Sequence, residues 1–174
     1  MGWTSRTPTG IRNVHSRLTA GPPEAAAALL QGIAEPGNPL WPTDRWPPLV
    51  LDRGLATGSA GGHGPIRYRV DTSAPGTITF GFDADDLVGR HTFTLAGEGS
   101  GVRWTHELII EAPDLLTRLV VVPLHDQLLE DLLDGAEAAM AGTPVRRTPF
   151  RMGVRARRWL VDRLAPAAPE TAAL

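Results

Sequence analysis

Between His63 and Glu111 the chain passes through four segments of alternating apolar and polar residues, His63 to Asp71, Thr77 to Asp83, Gly89 to Ala96 and Val102 to Glu111, separated by Gly, Pro and Asp. A period of two puts neighbouring side chains on opposite faces of a strand, and breakers at this spacing predict a meander of antiparallel hairpins. One face takes Ile66, Tyr68, Val70, Ile78, Phe80, Phe82, His91, Phe93, Leu95, Val102, Trp104, His106, Leu108 and Ile110. The other takes Arg67, Arg69, Asp71, Thr77, Thr79, Thr92, Thr94, Arg103, Thr105, Glu107 and Glu111. A sheet built this way is wet on one side, and another element must cover its apolar side.

The cover follows in the sequence. After Pro113, helical periodicity runs to about Met140, with Leu128, Leu129, Leu132, Leu133 and Ala136 forming an apolar stripe beside Glu130, Asp131, Asp134 and Glu137. Pro123 lacks the amide a helix interior needs, so a kink or a detached first part is expected there. Upstream, Asn13 to Thr19 alternates Val14, Ser16 and Leu18 with His15, Arg17 and Thr19 as a first strand, and Ala25 to Gln31 is a short helix begun at Pro22 and Pro23. Prolines from Pro36 to Pro48 make residues 35–53 a packed connector around Leu40, Trp41, Trp46 and Leu49, and Leu55 to Ser59 reads as a weak edge strand. The expected fold is α+β, a curved antiparallel sheet wrapped around a long C-terminal helix.

At 174 residues the chain has the length of one domain, and 42% hydrophobic with 21% charged residues is enough apolar material for a core. The expected divisions are a flexible N-terminus at 1–10, the domain at 11–142, and a basic amphipathic extension at 143–174 with a disordered end from Ala165 to Leu174. A net charge of -2, with arginine as the basic residue throughout, gives no global footprint for nucleic acid. Cysteine is absent, which excludes disulfides, thiolate nucleophiles and cysteine-based zinc sites. The opening MGWTSRTPTG has no apolar run of signal-peptide length, Arg6 breaks the myristoylation pattern, and no window reaches a membrane span, so a cytoplasmic location is expected.

This order of elements resembles the helix-grip layout of the START-like superfamily, also called SRPBCC. The local likeness is carried by Gly61-Gly62-His63-Gly64-Pro65-Ile66-Arg67-Tyr68, Thr77-Ile78-Thr79-Phe80, His91-Thr92-Phe93, Thr105-His106-Glu107, and Pro123-Leu124-His125-Asp126 opening the last helix. It extends over about Asn13 to Gly142 and is similar to uncharacterised bacterial members. The superfamily includes polyketide cyclases, lipid-transfer domains and plant hormone receptors, so the resemblance implies a cavity between sheet and helix without naming its occupant.

The residues expected to hold a small hydrophobic ligand, such as a lipid, polyketide or aromatic metabolite, are Tyr68, Phe80, Phe82, His91, Phe93, Trp104, His106, His125, Leu128, Leu129 and Leu132. Aromatic and leucine side chains supply apolar contact, and imidazoles supply the few polar anchors. His91 and His106 are also the candidates for acid–base catalysis in a cyclase-like enzyme, or two satisfied core histidines. No cofactor is expected, and no metal, because no His-x-x-x-His pair or similar signature occurs.

Other features have plainer readings. The glycine-rich stretch around His63 lacks Gly-Lys-Ser/Thr and so is a loop or rim, not a phosphate cradle. Asp83, Asp85 and Asp86 form a solvated turn, and Ser59 and Ser100 sit in glycine-rich turns without a nucleophile elbow. The arginines of the tail, among Phe150, Met152, Val154, Trp159, Leu160, Val161 and Leu164, are spread around the helix. That distribution favours a helix packing on this domain or on a second copy over one lying on a membrane, so a homodimer is among the expected partners. An interaction module with a filled core is the remaining alternative.

Overall fold

A computed structural model describes residues 2–83 and 87–164. Its strands are β1 (Thr4–Arg6), β2 (Gly10–Ala20), β3 (Val50–Leu51), β4 (Ala60–His63), β5 (Ile66–Ala74), β6 (Thr77–Phe82), β7 (Gly89–Glu98) and β8 (Gly101–Glu111). They form one antiparallel sheet in the order β1-β2-β8-β7-β6-β5-β4-β3. Helix α1 (Pro23–Gln31) follows β2, a π-helical turn (Thr117–Val121) leads into α2 (Val122–Ala141), and α3 (Met152–Leu164) comes last. The fold class is the one expected, a curved sheet with a long helix against its concave side.

The alternation places its residues as expected. Tyr68, Val70, Ile78, Phe80, Phe93, Val102 and Trp104 are buried together with Leu128, Leu129, Leu132 and Leu133 of α2 in one core. Gly99 takes φ +60° in the link joining β7 to β8, where Glu98 pairs with Gly101, a backbone conformation that suits glycine. α2 ends at Gly142 in the left-handed conformation (φ 64°), with the Thr143 amide donating to the Ala138 carbonyl at 2.9 Å. Gly135 faces the connector so closely that an added Cβ would lie 2.8 Å from the Pro39 carbonyl oxygen.

Pro123 acts differently from a simple kink. It falls in the first turn of α2, where the missing amide is cheap, and the chain before it is wound as a π turn. The Leu119 carbonyl, four residues before Pro123, accepts instead from Arg157 Nε of α3 at 2.6 Å.

Three other expectations are corrected. Thr4–Arg6, within the stretch read as flexible, pairs with Arg12 and its neighbours on β2 as an edge strand. Its three residues are exposed and carry no apolar signal, so only the partner strand defines it. Leu55 to Ser59 is a turn, and the opposite edge is built by β3 and β4, the latter composed of Ala60, Gly61, Gly62 and His63. His63 therefore ends β4, so the segment read as one strand from His63 to Asp71 turns at Gly64 and Pro65, and the His63 ring lies against Trp41 with centroids 5.1 Å apart. Asp85, Asp86 and the end from Ala165 to Leu174 lie outside the described residues; Asp83 faces Arg69 at 3.5 Å.

The basic tail folds back on its own chain. Asp131 of α2 is almost wholly buried and accepts from Arg45 Nη1 at 3.0 Å, Trp46 Nε1 at 2.7 Å and Gln127 Nε2 at 3.1 Å. Arg45 in turn lies 3.7 Å over the Phe150 ring and donates to the Thr148 carbonyl at 3.0 Å, while Arg158 of α3 caps Trp46 and Phe150, 4.7 Å over each. A buried carboxylate satisfied this fully anchors the connector to α2, and the stacked arginines anchor the tail to both. No helix among the described residues is long and apolar enough to cross a membrane.

Candidate functional site

The five histidines of the chain come from β2, β4, β7, β8 and α2. Their rings form a connected line. His15 stands 6.3 Å from His125, His125 4.9 Å from His106, His106 5.3 Å from His91, His91 4.9 Å from Tyr68, and Tyr68 5.9 Å from His63. Phe80 and Phe82 stack on His91 at 5.0 and 5.6 Å, and Phe93 meets His106 edge-on at 4.5 Å.

The line is polar at its centre and incompletely bonded. His91 Nδ1 and His106 Nε2 share a hydrogen bond of 3.1 Å. His91 Nε2, His106 Nδ1 and both nitrogens of His125 are buried without a hydrogen-bond partner among the described residues, and so is Asn13 Oδ1. A buried polar atom left unpaired costs about 1–3 kcal/mol, so a group of them in one place demands a reason.

Electrostatics divide the five. Burial removes water from His91 and lowers its pKa to about 3, with the nearby His63 adding to the effect. Burial likewise lowers His63 to about 4, helped by Arg67. His106 and His125 are held well below the usual imidazole range by burial first; His125, His91 and His15 add to the effect at His106, and His91, His15 and His63 at His125. All four are neutral at pH 7, each with one N–H and one lone pair.

His15 behaves in the opposite way. Burial opposes its charge, but hydrogen bonds to Asp126 and Glu130, together with their charges, outweigh burial and raise its pKa. Its Nδ1 donates to Glu130 Oε1 at 2.8 Å and its Nε2 to Asp126 Oδ1 at 3.1 Å. This contact is one rung of a ladder between β2 and α2. Asn13 Nδ2 donates to Asp126 at 2.7 Å, and Arg17 reaches Glu130, Asp134 and Glu137 at 3.1, 3.0 and 2.8 Å.

The predicted residues are therefore brought together for the most part. Tyr68, Phe80, Phe82, His91, Phe93, His106 and His125 form the ring line, and Leu128, Leu129 and Leu132 close it from α2. Trp104 is buried in the same core but turns its indole N–H to Thr19 Oγ1 at 3.0 Å. His15, His63, Asn13 and Glu130 were not among the predicted residues. The signal for His15 lay in polar residues at every second position of β2, Asn13, His15 and Arg17, set against acidic residues at helical spacing on α2, Asp126, Glu130, Asp134 and Glu137. A shallow surface groove of about 270 Å³ between α1 and the β5–β6 and β7–β8 hairpins, lined by Pro23, Glu24, Gly76, Leu95 and Val102 among others, contains none of the predicted residues.

No protein-family profile matches the chain, and no curated protein matches it. Solved structures do resemble it. CalU16 from Micromonospora echinospora, in its crystal structure, superposes with a TM-score of 0.57 over 93% of this chain and 94% of its own, at 16% identity. EF2215 from Enterococcus faecalis, a conserved protein of unknown function, gives 0.61 over 92% and 90% at 10% identity. TTHA0849 from Thermus thermophilus gives 0.53 over 75% and 97% at 21% identity. At such identities the likeness concerns the fold, and the site must be argued from this chain's own residues.

Proposed function

We propose that the chain is a START-like binding protein that holds one small, largely apolar molecule between the sheet and α2, with His91, His106 and His125 as its polar anchors. The observation that carries this reading is the group of four unpartnered ring nitrogens on those neutral histidines, enclosed by Tyr68, Phe80, Phe82 and Phe93. A neutral imidazole offers a donor and an acceptor, so the set suits a ligand with a carbonyl or hydroxyl on an apolar body. The superpositions are with proteins of the same sheet-and-helix build, which supports a fold able to take a ligand at this place.

Binding fits the site better than proton transfer does. A general base works best with a pKa near the working pH, and burial leaves His91 at about 3. A cyclase-like enzyme would need the substrate itself to raise that basicity. The bonded pair His91–His106 is arranged to hold an oxygen in place, not to take its proton at neutral pH.

The test is a titration with 8-anilinonaphthalene-1-sulfonate, an aromatic apolar probe, followed by its fluorescence. The wild-type chain should bind it saturably, and the double variant His91→Leu/His106→Leu, which keeps volume but removes the anchors, should bind it at least about tenfold more weakly. Equal binding by the two proteins would refute the anchoring roles.

A further inference from the structure

The polar end of the histidine line carries a second kind of chemistry. We propose that His15, His125 and Asp126 bind a divalent transition metal ion of the zinc class where β2 crosses α2. One ring nitrogen from each histidine and a carboxylate oxygen of Asp126 lie within 4.8 Å of one another. Ligands bonded at about 2.0–2.2 Å to one ion stand closer than this, so shifts of about 1 Å in side-chain position close the set.

Hydrogen bonding explains His15 without a metal, since two carboxylates flank it, but explains nothing about His125. Both nitrogens of His125 are buried and unpartnered, and the ring sits beside His15 and Asp126. A metal takes the lone pair of one nitrogen and so answers one of the two. It also replaces the proton between His15 Nε2 and Asp126 with an ion that both can ligate.

The surroundings are those a metal ligand needs. Glu130 Oε1 accepts from His15 Nδ1 at 2.8 Å, which fixes the ring and directs Nε2 toward Asp126, the carboxylate–histidine–metal arrangement. Asn13 Nδ2 holds Asp126 Oδ1 at 2.7 Å and orients the carboxylate. The unpartnered His106 Nδ1, on a ring 4.9 Å from His125, is available to a fourth ligand or to a molecule bound in an open position. Two imidazoles and one carboxylate select zinc, iron(II), cobalt or nickel over magnesium and calcium, which prefer oxygen alone. Spacing within one element does not bring this set out, because its members come from β2 and α2, far apart in the chain.

The site shares His125 with the proposed organic-ligand site and adds His15 and Asp126 to it, and metal uptake can be read with no organic molecule present. Full-length chain stripped with a chelator is titrated with zinc and with cobalt(II), read by native mass spectrometry and by visible absorption of the cobalt form. One ion per chain is expected, with cobalt bands of a low-symmetry nitrogen–oxygen site. His125→Ala and the isosteric Asp126→Asn should each weaken zinc by about 100-fold or more, and Glu130→Gln by about tenfold, with Glu98→Gln, in the exposed ion pair with Arg103, unchanged. Circular dichroism checks that each variant is folded. A folded wild type that takes up no ion, or uptake as tight in both His125→Ala and Asp126→Asn as in the wild type, overturns the proposal.

Discussion

His91 Nδ1 and His106 Nε2 lie 3.1 Å apart on adjacent strands, one imidazole donating to the other in a core that holds both neutral. The pair places a donor or acceptor beyond each ring, at His91 Nε2 and His106 Nδ1, where no group of the described residues answers it. Such atoms are retained at a cost in stability, and the cost makes sense where a ligand completes them.

Removing the histidines should therefore not weaken the empty fold. The variant His91→Leu/His106→Leu takes away the shared hydrogen bond and the unpartnered nitrogens together, and apolar replacement of both partners is close to neutral. Its ligand-free unfolding free energy in urea should fall within about 1 kcal/mol of the wild type or above it. A loss of about 3 kcal/mol or more would mean the histidines are structural.

Stability should decline in mild acid because of the lowered histidine pKa values. The folded pKa of His63 is about 4 against 6.5 when exposed, so the unfolded chain binds the proton first as pH falls. Stability is full above pH 6.5 and drains between 6.5 and 4, by as much as on the order of 3 kcal/mol for this residue. His63→Phe, which keeps an aromatic ring beside Trp41 and Tyr68 but cannot take up a proton, should flatten that part of the curve by a comparable amount. Urea midpoints at pH 7, 5.5 and 4.5 for the two proteins check it.

Gly135 tests the packing of α2 on the connector. Alanine is the better helix former by about 1 kcal/mol, yet its Cβ would lie 2.8 Å from the Pro39 carbonyl oxygen and 3.2 Å from that of Leu40. Backbone cannot give way as a side chain can, so Gly135→Ala should destabilise by about 1–3 kcal/mol. A rise in melting temperature would show that α2 stands further from the connector.

Asp131 tests the anchorage of the tail. Asp131→Ala leaves the nearly buried Arg45 without its carboxylate and Trp46 without an acceptor, which should cost about 3–5 kcal/mol. Protease digestion should then cut between Gly142 and Arg151 faster than in the wild type. An unchanged rate with unchanged stability would disprove the role given to this residue.

The sheet was legible from sequence because its middle strands carry the period-two pattern through most of their length, from Ile66 to Ile110, and α2 because Leu128, Leu129, Leu132 and Leu133 recur at helical spacing. The first strand shows where that logic ends. Its apolar members Val14 and Leu18 face outward, Leu18 with 45% exposure, while Asn13, His15 and Thr19 are buried. Hydrophobicity points the wrong way there because the inward face meets the acidic residues of α2, and only the assembled fold reveals the match. The histidine line was half legible for the same reason. His91 and His106 alternate with apolar neighbours, whereas His15 and His63 sit among polar or glycine residues whose partners are remote in sequence.

Native mass spectrometry of the full-length chain, purified without denaturation and incubated with a fatty acid, a flavonoid and a polycyclic phenol, tests the central claim most directly. One organic molecule per chain is expected, either co-purified or retained from this set, and its loss in His91→Leu/His106→Leu while both proteins stay folded. Bare chain in every incubation, or equal retention by wild type and variant, would contradict it.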